Sequence, residues 1–260
     1  MPKSKFESVD PDNPTGHGGA LYHIGLKKGD VGRIALMPGD PGRVPLIANH
    51  FKNAEKLAVN REYTSYGGYV GDEYVTAIST GIGSPSTGIA IEELARLGVT
   101  TMIRVGTCGA IQKEIRPGAV IIADAAVRLE GTSKQYIMAE YPAAANPETV
   151  IALKKSASKL GKNFEVGITA STDSFYGGQK RPGFNGYFPN NTKNLVEDLQ
   201  KAKVLCFEME ASALFTIGRI YGINTGAVLA VVDNMVKKEF RLHAGIEDAI
   251  DIAIGAIKDL

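Results

Sequence analysis

No tryptophan occurs in this sequence, and only two cysteines do, Cys108 and Cys206. Their spacing forms neither a CxxC pair nor a metal-finger pattern, which fits a reducing cytoplasm. The four histidines (His17, His23, His50, His243) are not spaced as zinc ligands, so no catalytic metal is expected. No uninterrupted apolar run is long enough to cross a bilayer, and the polar, Pro- and Gly-rich start lacks the apolar region of a signal peptide. Charge of one sign is missing too: 29 Lys and Arg face 28 Asp and Glu, a formal net charge of +1. Nothing therefore points to nucleic acid or an anionic membrane as the main partner. A local arginine cluster could still hold a small anion.

What is present is alternation. The runs 33–37 (RIALM), 74–80 (YVTAIST), 101–105 (TMIRV), 119–124 (AVIIAD) and 227–232 (AVLAVV) read as buried strands. Segments 85–98, 146–161 and 210–222 read as helices, each stopping at a glycine suited to a left-handed cap, and 244–260 reads as a closing amphipathic helix. Such alternation argues for an α/β fold with a largely parallel or mixed sheet. With 44% apolar residues, 260 residues suffice for one sizeable core. One domain over 21–260 is expected, preceded by a flexible arm over 1–20.

Glycine-rich stretches follow several strands, where open α/β folds place ligands. PGDPGR (38–43) offers backbone N–H groups and Arg43 to an anion, although alone it reads as an ordinary turn. GTCGA (106–110) reads as a second such loop, just after Arg104. An arginine inside an apolar strand must be paired or hold an anion. FEMEAS (207–212) sets Glu208 and Glu210 at a helix entrance, either for a sugar diol or as ordinary helix-start acids. GIGSPSTG (81–88) imitates a dinucleotide fingerprint, but Ser86 stands at the third glycine position and no ribose-binding acid ends the next strand. No P-loop and no GxSxG elbow occur.

Taken in order, YHIGL, MPGDPGRV, NREYTSY, STGIGSPSTGIAIEEL, RVGTCGAI, TASTDSFYGGQKR and FEMEAS resemble the nucleoside phosphorylase family, its uridine-cleaving members most of all. The resemblance covers most of residues 21–235. It implies a single α/β domain with a central mixed β-sheet, distorted toward a barrel and flanked by helices. It implies a homohexamer whose active sites are shared between neighbours, with a nucleoside and inorganic phosphate as substrates and no cofactor. Gly39, Arg43, Arg104 and Thr107 match phosphate-binding positions, and Arg61 matches an arginine lent by the adjacent subunit. His23 matches a histidine that reaches the ribose from that neighbour. Thr107, Glu208, Met209 and Glu210 match the ribose site. Cys108, Gly109, Phe175, Gln179 and Arg181 match the base site, with Arg104, Arg181 and Glu210 expected to carry the catalysis.

The stretch SFYGGQKRPG (174–183) gains a purpose under this resemblance. A glutamine amide donates and accepts together, so Gln179 suits the N3–H and a carbonyl of uracil. Arg181 suits a carbonyl whose negative charge grows as the glycosidic bond breaks. Cys108 departs from the hydroxyl residue common there. In AVVDNM (230–235), ungapped alignment to uridine enzymes sets Asn234 at the strand end, whereas one gap would set Asp233 where purine enzymes keep an acid. A purine nucleoside phosphorylase therefore stays open as an alternative, as does a nucleoside-binding module without turnover.

Overall fold

Ile34 and Leu36 bury into one apolar layer while Ala35 and Met37 bury into another, the two-residue period of a strand covered on both faces. The same alternation recurs at 120–123 and 227–231. The computed structural model describes residues 10–260; residues 1–9 of the expected arm and the side chain of His17 lie outside the described residues. In chain order the elements are β1 (Ile34–Met37), α1 (Val44–Ala48), β2 (Lys52–Asn60), β3 (Tyr63–Val70), β4 (Glu73–Ile78), α2 (Ser84–Arg96) and β5 (Thr101–Ala110). Then follow β6 (Val120–Arg128), α3 (Thr132–Tyr136), β7 (Ala143–Ala144), α4 (Pro147–Lys159), β8 (Phe164–Ser171), α5 (Leu195–Lys201) and β9 (Cys206–Glu208). The chain ends with α6 (Ala211–Ile220), β10 (Asn224–Asn234), β11 (Glu239–Phe240) and α7 (Ile246–Ala256).

All eleven strands belong to one mixed sheet. Five of them close into a ring, because β5 pairs β9, β9 pairs β8, β8 pairs β6, β6 pairs β10, and β10 returns to β5. From β5 the sheet continues outward through β1, β4, β3 and β2. This is the mixed, barrel-like sheet that the family resemblance implies. On one side Ile91 and Leu94 of α2 and Leu214, Phe215 and Ile217 of α6 pack with Met102, Ile121 and Leu229. On the other, Ile47, Leu153, Ile250 and Ala253 from α1, α4 and α7 pack with Leu36, Ile103 and Val228. The helices begin and end as their residues dictate. Asn146 caps α4 by accepting from the backbone N–H of Thr149 at 3.0 Å, with Pro147 in the first turn. Gly98, Gly161 and Gly222, the expected stops of three helices, all adopt left-handed φ of +96°, +63° and +69°.

One expectation needs correction, and some strands carried no expectation at all. GTCGA (106–110) is not a loop but the continuation of β5, paired with β10 along its length and with β9 at Gly109 and Ala110. Its glycines serve close packing within the sheet rather than a turn. The β2–β3–β4 meander and β8 lie outside the strand runs named above, apart from β4. In β2 the residues Lys52–Asn60 are mostly exposed, so no apolar alternation marks them.

Phe215 is fully buried between α6 and the sheet. Replacing it with Ala should destabilise the fold by about 3–5 kcal/mol, through lost burial and the cavity left behind. The shift of the urea midpoint at unchanged m-value checks this.

Candidate active site

The strand ends and the wall of β5 enclose a cavity of about 420 Å³. β1 delivers Gly39 and Arg43 through a short turn, in which Asp40 accepts from the backbone N–H of Gly42 at 2.8 Å. β5 contributes Arg104, Thr107, Cys108 and Gly109 from its middle, and β9 with the start of α6 contributes Glu208, Met209 and Glu210. The loop after β8 supplies Phe175, Gln179 and Arg181. Twelve of the residues singled out from the sequence thus line one cavity, although they come from four separate stretches of chain.

At one end lies a buried ion cluster. Arg104 Nη2 is 2.5 Å from Glu210 Oε2, and its Nε lies 2.9 Å from Glu208 Oε2, off the hydrogen-bonding direction. Burial opposes the Arg104 charge, yet Glu210 and Glu208 outweigh it and hold the guanidinium above its ordinary pKa. Glu208 is itself fixed: Oε1 accepts from Ser171 Oγ, and Oε2 accepts from the backbone N–H groups of Glu210 and Ala211, both at 2.8 Å. Its oxygens are already met by protein donors, so it serves as anchor for Arg104 and as cap for α6. Glu210 Oε1 accepts from the N–H of Gly83, ahead of α2. Gly106 is required here, because a Cβ would lie 2.7 Å from Arg104 Cζ. Arg43 Nη2 approaches Thr107 Oγ1 at 3.5 Å, and burial followed by the Arg104 charge lowers its pKa. Two guanidiniums and a hydroxyl facing one space can receive a tetrahedral oxyanion.

At the other end Arg181 stacks over Phe175, with Cζ 4.2 Å from the ring centroid. Its Nε donates weakly to Gln179 Oε1 at 3.4 Å, while Gln179 Nε2 donates to Thr172 Oγ1 at 3.2 Å. Arg181 Nη2 donates to Asp233 Oδ2 at 2.7 Å. A planar ring placed beside the cation, the amide and Phe175 would meet donors, acceptors and an apolar surface. The structure also separates the two candidates at the end of β10. Asn234 is buried away from the cavity: its amide donates to the carbonyls of Gln112 and Ile115 and accepts from the N–H groups of Val236 and Lys237. Asp233 is the one that faces the cavity. Cys108 forms part of the wall, its thiol pushed well up by burial and by neighbouring Cys206.

His23 and Arg61 are not in this cavity. They meet each other's surroundings elsewhere: Arg61 Nη2 donates to Tyr22 Oη at 3.1 Å, and Asn60 Nδ2 donates to the carbonyls of Tyr22 and His23. His23 Nδ1 lies 2.6 Å from Glu93 Oε1, and that carboxylate also accepts from the backbone N–H of Ile24 at 2.8 Å. Glu93 carried no signal in the sequence, since an acid within a helix reads as solvated charge. Phe240, which closes one side of the cavity from β11, was equally silent.

The sequence pattern of the family described as the phosphorylase superfamily matches residues 33–260. A protein of Thermococcus kodakarensis named uridine phosphorylase is 52% identical over 252 residues, 97% of this chain and 91% of that protein. The Escherichia coli protein of the same name is 40% identical over 222 residues, 84% of this chain and 88% of its own length. A guanosine phosphorylase of Halorubrum lacusprofundi is 39% identical over 214 residues, covering 82% of this chain and 83% of that protein.

The Arg104 cluster yields a stability test. Glu208→Gln should destabilise the fold by roughly 3 kcal/mol or more, because it strips a buried guanidinium of one of two partners. Denaturant unfolding checks it, and a loss below about 1 kcal/mol would show that Glu210 alone carries the charge.

Proposed function

The chain belongs to the phosphorylase superfamily, and from that premise we propose that it is a uridine phosphorylase, cleaving uridine with inorganic phosphate to uracil and ribose 1-phosphate. The observation that carries this reading is the polarity of this cavity, with Arg43, Arg104 and Thr107 grouped at one end and Phe175, Gln179 and Arg181 grouped beside Gly109 at the other. Phosphate sits at the first end and the pyrimidine at the second, with the ribose between them near Met209 and Glu210. Gln179 reads N3–H and one carbonyl of the base. Arg181 stabilises the carbonyl that gains charge as the bond to C1′ breaks, while phosphate approaches that carbon. Preorganised donors and held reactants supply the acceleration. A pentosyl transfer of this kind needs no cofactor. Two buried thiols suit a reducing cytoplasm as its compartment.

The same reading makes the enzyme a homohexamer with shared sites. Charge arithmetic supports a lent residue: the cavity of one chain holds three arginines (Arg43, Arg104, Arg181) against four carboxylates (Asp40, Glu208, Glu210, Asp233). That set is formally one unit negative, a poor host for phosphate dianion until a further cation arrives. Arg61 of a neighbouring copy, which lies near His23 and outside its own chain's cavity, supplies it. A second reading, purine phosphorolysis, is favoured by Asp233 facing the cavity and by the likeness to a guanosine phosphorylase. The amide–cation pair at Gln179 and Arg181 weighs toward uridine.

Phosphate-dependent cleavage of uridine, thymidine, inosine and adenosine, assayed in parallel, should rank uridine first; efficient inosine cleavage with negligible uridine turnover would transfer the assignment to purines. Arg181→Ala should lower uridine kcat by roughly 100-fold, about 3 kcal/mol, as expected for losing one donor to a developing anion. Arg61→Ala and Arg181→Ala, each nearly inactive, should regain activity when their subunits are exchanged, since one site of a mixed pair receives both arginines. Proven exchange without recovered activity would mean that each site is built within one subunit.

A further inference from the structure

The reaction set out above uses Arg181 but has no use for Asp233, although the two are joined at 2.7 Å. Three independent features bring them together. The pairing of β10 with β5 slips between Val231 and Asp233, so Val232 has no partner opposite it and the strand is bulged at that point. A bulge re-aims the side chain that follows it, and here that side chain is Asp233. Across the ladder, Asp233 lies opposite Gly109. A Cβ on Gly109 would stand 2.3 Å from Asp233 Oδ1 and 2.9 Å from Arg181 Nη2, so only glycine leaves room for the pair. Asp233 is also 4% exposed, and a carboxylate that deep requires a cation.

Arg181 is therefore gripped on three sides: Asp233 at Nη2, Gln179 at Nε, and the Phe175 ring beneath the guanidinium plane. It arises from a loop, directly after Lys180 in a left-handed conformation (φ +54°), and an arginine side chain carries about 2 kcal/mol of rotamer entropy. Among the described residues, Nη1 donates to no protein group. We propose that Asp233 is a positioning residue of the base site, holding one edge of Arg181 so that its remaining N–H groups are set for a pyrimidine carbonyl before substrate arrives. This rests on the uridine reading of the cavity. Fixing the donor in advance removes reorganisation from the reaction step. The carboxylate acts through Arg181, and no proton leaves it for the base.

The test is a double-mutant cycle over Asp233 and Arg181, read in uridine kinetics and in calorimetric binding of uracil alone. Asp233→Ala should lower kcat/KM for uridine and weaken uracil by about 10- to 100-fold, the scale of a misplaced donor, with KM for phosphate unchanged. Asp233→Asn keeps an oxygen acceptor in the same shape and should remain within about tenfold of wild type. In an Arg181→Ala background, Asp233→Ala should do no further harm. Equal losses in both backgrounds would overturn the proposal, as would an intact uridine reaction with selective loss of inosine cleavage, which would make Asp233 a purine-facing group. Wild-type protein that neither cleaves uridine nor binds uracil would instead refute the uridine reading of the cavity, and the role of Asp233 with it.

Discussion

A buried guanidinium between two carboxylates organises this molecule. Arg104 projects from the middle of β5, and the carboxylates that meet it sit at the end of β9 and the start of α6. Its partners are tied in turn to β8 through Ser171, to α6 through capped N–H groups, and to the approach of α2 through Gly83. Burying three charges is costly unless they are paired and bonded, and here backbone N–H groups bond both carboxylates while these meet the guanidinium. The result is a rigid floor on which a phosphate site can stand. Fold and site are not separable at this point, because the same ion cluster locks three elements and sets the cavity's shape.

The sequence exposed the parts of the fold that depend on local pattern. Doubly covered runs such as 34–37 and 119–123 are apolar without interruption, and helices bounded by Gly98, Gly161 and Gly222 carry their own stop signals. It hid the parts that depend on partners. β2 is mostly exposed along its length, and the residues after Arg104 look like a loop because four small residues occupy five positions. Their smallness answers to neighbours from other strands: Arg104 folded over Gly106, and Asp233 with Arg181 against Gly109.

The candidate site followed the same division. Twelve of the residues carried by family motifs reach one cavity, because motifs preserve the chain's path. What no motif expresses is the direction of a side chain at a strand irregularity. Asp233 and Asn234 are adjacent and similar in size, yet one faces the cavity and the other is consumed by four backbone groups. A single bulge in β10 made that decision. His23 and Arg61, which the family resemblance assigns to a neighbour's site, lie outside the chain's own cavity.

The closed ring of five strands has a consequence for how the chain acquires its structure. Its closing seam joins Thr101 to Asn224, strands made far apart during synthesis, with β6, β8 and β9 completing the circuit between them. Sequence-distant parallel pairing is slow to form, because loop entropy is lost before the contact rewards it. Until β10 has emerged, one edge each of β5 and β6 lacks a partner, and half-made chains expose strand edges that invite association. The cavity wall at Asp233 belongs to β10, the last strand of the ring. Ligand-binding competence should therefore arrive only with the final act of folding, and any nascent or truncated chain ending before it should behave as an aggregation hazard rather than as a weakened enzyme.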